Sequence, residues 1–198
     1  MVNLMNKINA LISRLEITEN FEDAFYLRKS YIFAREKSHD MRTQLGSIIV
    51  YSDTFKSAYF SGANTFPVSF HVRDVNDPNF SLVANVLKNI SDKDWKKENI
   101  IHAEINSINV AKNFLESLNH TTLYVPDFPC ANCTQNIIAE GIGRVVCHES
   151  LILKTPEHKI DSVISNVSKL LRFGVNVSLY RGELGGLLNL YDGVLWKP

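Results

Sequence analysis

Apolar residues recur along this chain with two different periods, and the alternation between them predicts the order of elements. Leu4, Ile8, Leu11, Ile12 and Leu15 fall at helical spacing and predict an amphipathic N-terminal helix. Asn20 stands where a cap is needed for a second helix, whose stripe of Phe21, Ala24, Phe25 and Ile32 is expected to pack on a sheet. Leu45 to Tyr51 and Ser57 to Ser61 are β-rich runs on either side of Ser52-Asp53-Thr54, which reads as an antiparallel hairpin. From Asn64 to Glu98 the pattern breaks, with Pro67, Pro78, a short helical stretch near Leu82 to Ile90 and a polar run from Ser91 to Glu98. Such a segment reads as a long solvated loop, or as a lid because it directly precedes His102.

Regularity then returns. A helix is expected from about His102 to Leu115, a strand at Thr122 to Val125, a helix from about Ala131 to Glu140 and a strand at Arg144 to Cys147. A further helix, from about His158 to Phe173, precedes a strand at Asn176 to Tyr180. Helical crossovers of this length permit parallel neighbours. The expected fold is α/β, a three-layer α/β/α sandwich around a mixed five-stranded sheet. The expected division is an N-terminal helical extension (1–19), one domain (20–181) with a lid-like insertion (65–100), and a C-terminal tail (182–198). Leu187, Leu188, Leu190, Leu195 and Trp196 make that tail apolar enough to dock on the core or on a second subunit.

Composition narrows the function classes. With 198 residues and 45% hydrophobic content, the chain suffices for one sizeable core. Lys plus Arg equals Asp plus Glu at 21 each, and no stretch concentrates basic residues, so a polynucleotide partner is not expected. No apolar run reaches membrane-spanning length, and the N-terminus lacks the marks of a signal peptide. Three cysteines are too few for a disulfide framework, which points to a cytoplasmic protein with reduced thiols.

The chemistry lies in two short motifs, His102-Ala103-Glu104 and Pro129-Cys130-Ala131-Asn132-Cys133, each opening an expected helix. A lone histidine or a lone Cys-x-x-Cys is ordinary, but together they supply one neutral nitrogen and two thiolates. Those are three ligands for a zinc ion with the fourth tetrahedral position left for water, the arrangement of a catalytic site. A helix N-terminus favours the thiolate form of Cys130 and Cys133. Glu104 is not needed as a ligand and is free to move protons. By the resemblance of the two motifs to the zinc deaminase signature, the expected reaction is attack of zinc-bound hydroxide on an amine-bearing carbon, Glu104 carrying one proton to the ring nitrogen and the remaining one to the departing ammonia. Backbone N–H groups near Ala103 and Cys130 could orient the intermediate.

The His-x-Glu and Pro-Cys-x-x-Cys pair is that of the zinc deaminases. From about Arg35 to Arg181 the chain resembles the cytidine deaminase-like superfamily, and within it the deoxycytidylate (dCMP) deaminases. The resemblance is carried also by Ser38 to Gly46, Gly62 to Pro67, the His102 to Ile108 run with Asn106, Leu123 to Val125 with Phe128, and Ile137 to Ile142. It implies that His102, Cys130 and Cys133 hold Zn2+, that Glu104 is the proton shuttle, and that Asn64 binds the sugar or base. It further implies conversion of dCMP to dUMP, feeding thymidylate synthesis, a homo-oligomer that is a hexamer in several members, and allosteric control by dCTP and dTTP.

Two positions differ from the family pattern. Thr65 stands where a glycine usually follows the asparagine, and Asp127 stands where an apolar or small residue is usual. Both bear on the substrate. A monophosphate needs cationic partners, for which His71 and Arg73 are the first candidates, with Arg42 and Arg181 behind them. The alternatives are a modified dCMP, a free nucleoside or base, a tRNA adenosine, or a catalytically idle nucleotide-binding module.

Overall fold

The structure is a computed structural model, and it describes residues 2–54, 57–67 and 80–198, the side chains of residues 2–5 and 80 excepted. The elements in chain order are α1 (Val2–Ile12), β1 (Glu16–Thr18), α2 (Phe21–Lys37), β2 (Gly46–Ser52) and β3 (Ser57–Ala63). There follow α3 (Phe80–Asn89), α4 (Lys93–Asn99), α5 (Ala103–Lys112), β4 (Thr122–Tyr124), α6 (Ala131–Ala139), β5 (Arg144–His148) and α7 (Glu149–Ile152). A single 3-10 turn leads into α8 (Ile160–Arg172), and β6 (Asn176–Tyr180), β7 (Asn189–Tyr191) and β8 (Val194–Trp196) complete the chain.

The main sheet runs β1-β6-β5-β4-β2-β3. Its β1, β6, β5 and β4 are mutually parallel, whereas β2 is antiparallel to both β4 and β3. Strand alternation sorts the buried side chains into two cores. Ile49, Leu123, Val145, Cys147, Val177 and Leu179 face a cluster completed by α1, α5, α6 and α8. Ile48, Val50, Tyr124, Val146 and Tyr180 face the other way, against Leu27 and Tyr31 of α2 and Leu184 and Leu187 of the tail. Helices on both faces make this the three-layer α/β/α arrangement.

The sheet has six strands, one more than expected. The additional strand is β1, three residues paired in parallel with Ser178 to Tyr180. A Glu-Ile-Thr triplet is too short to show alternation, so only its pairing reveals it.

The buried face of α2 matches the expected stripe only in Ala24 and Ile32, which pack against the second core. Phe21 is 84% exposed and Phe25 42%, whereas Asp23, Leu27, Ser30, Tyr31 and Ala34 are buried. Sheet contact here rewards small and hydrogen-bonding residues. A side chain at Gly46 of β2 would collide with the backbone of Ser30 and Ala34. Asp23 takes a two-pronged bond from Arg144 at 2.9 Å each, and Asn20 caps the helix by accepting the Asp23 N–H at 2.7 Å.

The polar run from Ser91 to Glu98 is largely helical, as α4, rather than loop. Asp92 caps it by accepting the N–H groups of Asp94 and Trp95 at 2.9 and 3.0 Å. Thr65, just after β3, and Ile101, just before α5, form a junction of reciprocal backbone bonds of 3.0 and 2.8 Å. Asn106 locks it, donating to the Ala63 carbonyl at 2.7 Å and to Thr65 Oγ1 at 2.9 Å.

Candidate active site

Two helix starts meet beyond the ends of the central strands. His102 is the N-cap of α5 and Cys130 the N-cap of α6, both with extended backbone. The approach of α5 to the sheet depends on Gly62 of β3, because a Cβ there would strike the Ala103 carbonyl and the Ser107 nitrogen. Ser47 of β2 fixes the same contact, donating to the Ala103 carbonyl at 2.7 Å. On the other side, Pro129 holds the start of α6 through its carbonyl, which accepts from Asn166 Nδ2 of α8 at 3.3 Å and from Thr134 Oγ1 at 3.4 Å.

This brings His102 Nδ1 to 3.4 Å from Cys130 Sγ and 3.5 Å from Cys133 Sγ. A tetrahedral zinc with Zn–N of about 2.0–2.1 Å and Zn–S of about 2.3 Å needs nitrogen and sulfur roughly 3.5 Å apart. The donor set and its spacing fit that ion. Among the described residues, these three are the one group of His, Cys, Asp and Glu side chains able to close on a cation.

The electrostatics match. Hydrogen bonding to Cys133 and His102 draws the Cys130 thiol down to about 3, and its thiolate in turn raises His102 to about 8. Cys133 is pushed upward as the thiol that donates to Cys130. The trio thus shares protons that a divalent cation would displace. Glu104 lies one residue into α5, only 5% exposed, and burial raises its carboxyl above the usual range. Asn64 adjoins it, with Oδ1 accepting the Ala103 N–H at 2.9 Å.

These residues open onto a cleft of about 710 Å³ that His102, Glu104, Cys130 and Asn64 line together. Its rim carries cations that the sequence alone did not single out. Lys93, Lys96 and Lys97 come from α4 and Lys159 from the turn before α8. Lys96 is held against Asp40 at 2.9 Å, and Trp95 packs on Phe66 with ring centroids 5.3 Å apart, so α4 is tied to the cleft. Tyr191 and Asp192 of the C-terminal hairpin also line it. No local signal marked them, because a charged helix face and a tail read as solvated until topology places them.

Of the sequence-derived phosphate candidates, Arg42 lines the cleft and pairs with Asp192 at 3.0 Å. Arg181 does not belong to it and is bound to Glu149 at 2.7 and 2.8 Å. His71 and Arg73 lie outside the described residues. A separate groove between β3 and the α5–β4 connection, lined by Phe60, Phe114 and Leu115, holds no metal-ligating group of this kind.

Comparison with known proteins places these features in context. A family model for the cytidine and deoxycytidylate deaminase zinc-binding region matches residues 21–149. A probable deoxycytidylate deaminase of Drosophila melanogaster is 32% identical over 126 residues, which cover 63% of this chain and 57% of that protein. An uncharacterised deaminase from the luxG 3′ region of Aliivibrio fischeri is 30% identical over 112 residues, 57% of this chain and 63% of its own length. The alignment therefore spans less than two thirds of either relative. Among solved structures, the dCMP deaminase of cyanophage S-TIM5 in complex with dCMP and dUMP superposes with a TM-score of 0.53 at 18% identity. That match covers 82% of this chain and 98% of the other and concerns the fold.

Proposed function

The chain belongs to the family of zinc-binding cytidine and deoxycytidylate deaminases, and on that premise we propose that it hydrolyses a cytosine nucleotide, dCMP, to dUMP and ammonia. The observation that carries this reading is a buried carboxyl, Glu104, set beside a His-Cys-Cys trio at the inner end of a nucleotide-sized cleft. Zinc held by His102, Cys130 and Cys133 acidifies a water and so supplies a nucleophile at neutral pH.

The remaining work falls to the chain's own groups. Glu104, its carboxyl raised by burial, takes the proton of the attacking water and delivers it to the ring nitrogen next to the amine-bearing carbon. It then takes the remaining proton of the added hydroxyl and gives it to the departing amine, so that the carbonyl forms as the C–N bond breaks and ammonia leaves. Asn64 has spent its Oδ1 on Ala103, while its Nδ2 makes only a 3.5 Å contact with the Thr43 carbonyl. The amide N–H is thus the part of Asn64 that serves the ligand. Lys93, Lys97 and Lys159 on the rim serve the phosphate. The likeness to a probable deoxycytidylate deaminase and to a cyanophage enzyme solved with dCMP and dUMP supports the choice of substrate.

The test is a deamination panel with metal analysis. Purified protein is expected to carry about one zinc per chain and to release ammonia from dCMP faster than from CMP, deoxycytidine or a tRNA stem-loop. Glu104→Gln should keep the zinc and lose at least about a hundredfold in kcat. Zinc-loaded protein that releases ammonia from none of these substrates overturns the reading.

A further inference from the structure

The reaction employs Glu104 and leaves a second carboxyl in the same cleft without a task. Asp127 sits in the turn between β4 and α6, half-buried and lining the cleft. Its Oδ1 accepts the N–H of Phe128 at 2.8 Å and its Oδ2 accepts the hydroxyl of Tyr191 at 3.0 Å. Tyr191 arrives from β7, so the far C-terminus of the chain reaches the turn that leads to the metal cysteines.

The hairpin is fastened there. Gln44 N–H donates to the Leu190 carbonyl at 2.9 Å, Gly193 N–H to the Arg42 carbonyl at 2.8 Å, and Asp192 N–H to Thr43 Oγ1 at 3.2 Å. These bonds bind it to the segment of Arg42 and Thr43, which lines the cleft together with Asn64. Tyr191 is therefore held against Asp127 by the backbone around it as well as by its own hydroxyl.

A carboxylate offers about four acceptor positions. The Phe128 amide and the Tyr191 hydroxyl fill two; among the described residues no further hydrogen-bond donor reaches the carboxylate, on which Lys159 acts only through its charge. Open acceptor positions in a half-buried carboxyl that lines the cleft can take a donor from the ligand in place of water. A phosphate cannot supply it, since two anions in one wall repel each other. The amine is the leaving group of every substrate in the class, so a contact to it would not discriminate among them. A hydroxyl remains.

We propose that the Asp127–Tyr191 pair is a specificity element that selects nucleotides bearing a hydroxyl donor, on the pentose or on a substituent of the base. Asp127 accepts that hydroxyl, and Tyr191 is a positioning residue that fixes the carboxylate's orientation. This inference rests on the deaminase reading above.

The experiment compares paired substrates on the zinc-loaded full chain: dCMP with its 2′,3′-dideoxy analogue, and 5-hydroxymethyl-dCMP with 5-methyl-dCMP. Wild-type protein is expected to favour the hydroxyl-bearing member of one pair by about tenfold or more in kcat/KM. In Asp127→Asn that ratio collapses toward one, and Tyr191→Phe lowers it part of the way, with zinc content retained in both. The pair that responds tells whether the hydroxyl is on the sugar or on the base. Equal loss on both members, or a ratio that neither variant changes, overturns the proposal, because a merely structural role cannot tell the substrates apart. If wild type turns over none of them, the deaminase reading fails. Calorimetric binding of the same pairs then reads Asp127 separately, and equal affinity for both members of each pair overturns the specificity role.

Discussion

Asn64 Oδ1 accepts the backbone N–H of Ala103 at 2.9 Å, joining the end of β3 to the first residue of the helix that carries Glu104. The first N–H groups of a helix have no partner within it, and His102 at the N-cap offers no side-chain bond to them. Asn64 is fixed in turn by its own backbone, which donates to the Leu45 carbonyl at 3.0 Å and accepts from the His39 N–H at 2.8 Å. Asn64 therefore joins Gly62 and Ser47 in setting where His102 and Glu104 stand relative to the sheet. Asn64→Ala leaves that buried N–H unpaired and is expected to cost about 1–3 kcal/mol in urea unfolding. It should also lower kcat, while Asn64→Asp, which keeps an acceptor, recovers part of the stability. A variant as stable as wild type would show that the bond is not structural.

The metal trio makes a second expectation. A cation that binds the native chain and not the unfolded one stabilises it by mass action. Chelation should lower Tm and added zinc should restore it, and the response should vanish in Cys133→Ser and His102→Ala. The ligands must shed protons to bind, so zinc should be lost on acidification. Differential scanning at several zinc concentrations checks this, and a Tm indifferent to zinc in wild type sinks it.

How far the sequence led can be argued from particular residues. The hairpin β2–β3, the strands β4, β5 and β6 and the helices that open on His102 and Cys130 were legible because alternation, turn residues and helix starts are local signals. The metal trio was legible because its residue types and spacing are rare together. The six-stranded sheet was not, since β1 exists only through its pairing with β6. The face of α2 was legible only at Ala24 and Ile32, because Phe21 and Phe25 stack on each other outside the core while a charged residue, Asp23, goes inside with its own partner. Asp127 drew notice as a departure from a pattern, but its link to Tyr191 spans 64 residues and belongs to tertiary structure alone.

Asp23 carries a third prediction. It is 1% exposed, with Arg144 on both oxygens, Thr18 Oγ1 at 2.7 Å and Tyr124 Oη at 3.0 Å. Burial pushes its carboxyl up, but the bonds and charge of Arg144, with Thr18 and Tyr124, outweigh that and hold it below the usual range. A folded value below the unfolded one contributes stability that is present above the unfolded pKa, about 3.9, and is lost as pH falls through the folded value. Asp23→Asn removes the buried carboxylate partner of Arg144 and leaves it Glu16 at 4.0 Å, which should cost about 3 kcal/mol at neutral pH. Acid titrations of unfolding should also show a shallower decline below about pH 4 in the variant. An unchanged acid limb would dismiss the assignment.

His148 works in the opposite part of the pH range. It ends β5 without exposure, its Nε2 3.0 Å from the Gly182 carbonyl and its Nδ1 3.0 Å from the Tyr31 hydroxyl. A carbonyl only accepts, so Nε2 carries the hydrogen and the neutral ring accepts the Tyr31 hydroxyl at Nδ1. Protonating Nδ1 would turn that hydroxyl away and place a charge among Tyr31, Tyr180 and Trp196. Burial accordingly lowers the His148 pKa, against the smaller opposing pull of Gly182 and Glu149. The unfolded chain then binds a proton that the folded chain refuses. Stability is full above the unfolded value of about 6.5 and declines as pH falls from there toward the folded pKa, by at most about 1.4 kcal/mol per pH unit. His148→Gln should be less stable at neutral pH, yet lose less on going from pH 7 to pH 5. Urea unfolding of both proteins across that interval measures the difference in slope, and parallel curves would remove His148 as the source of acid sensitivity.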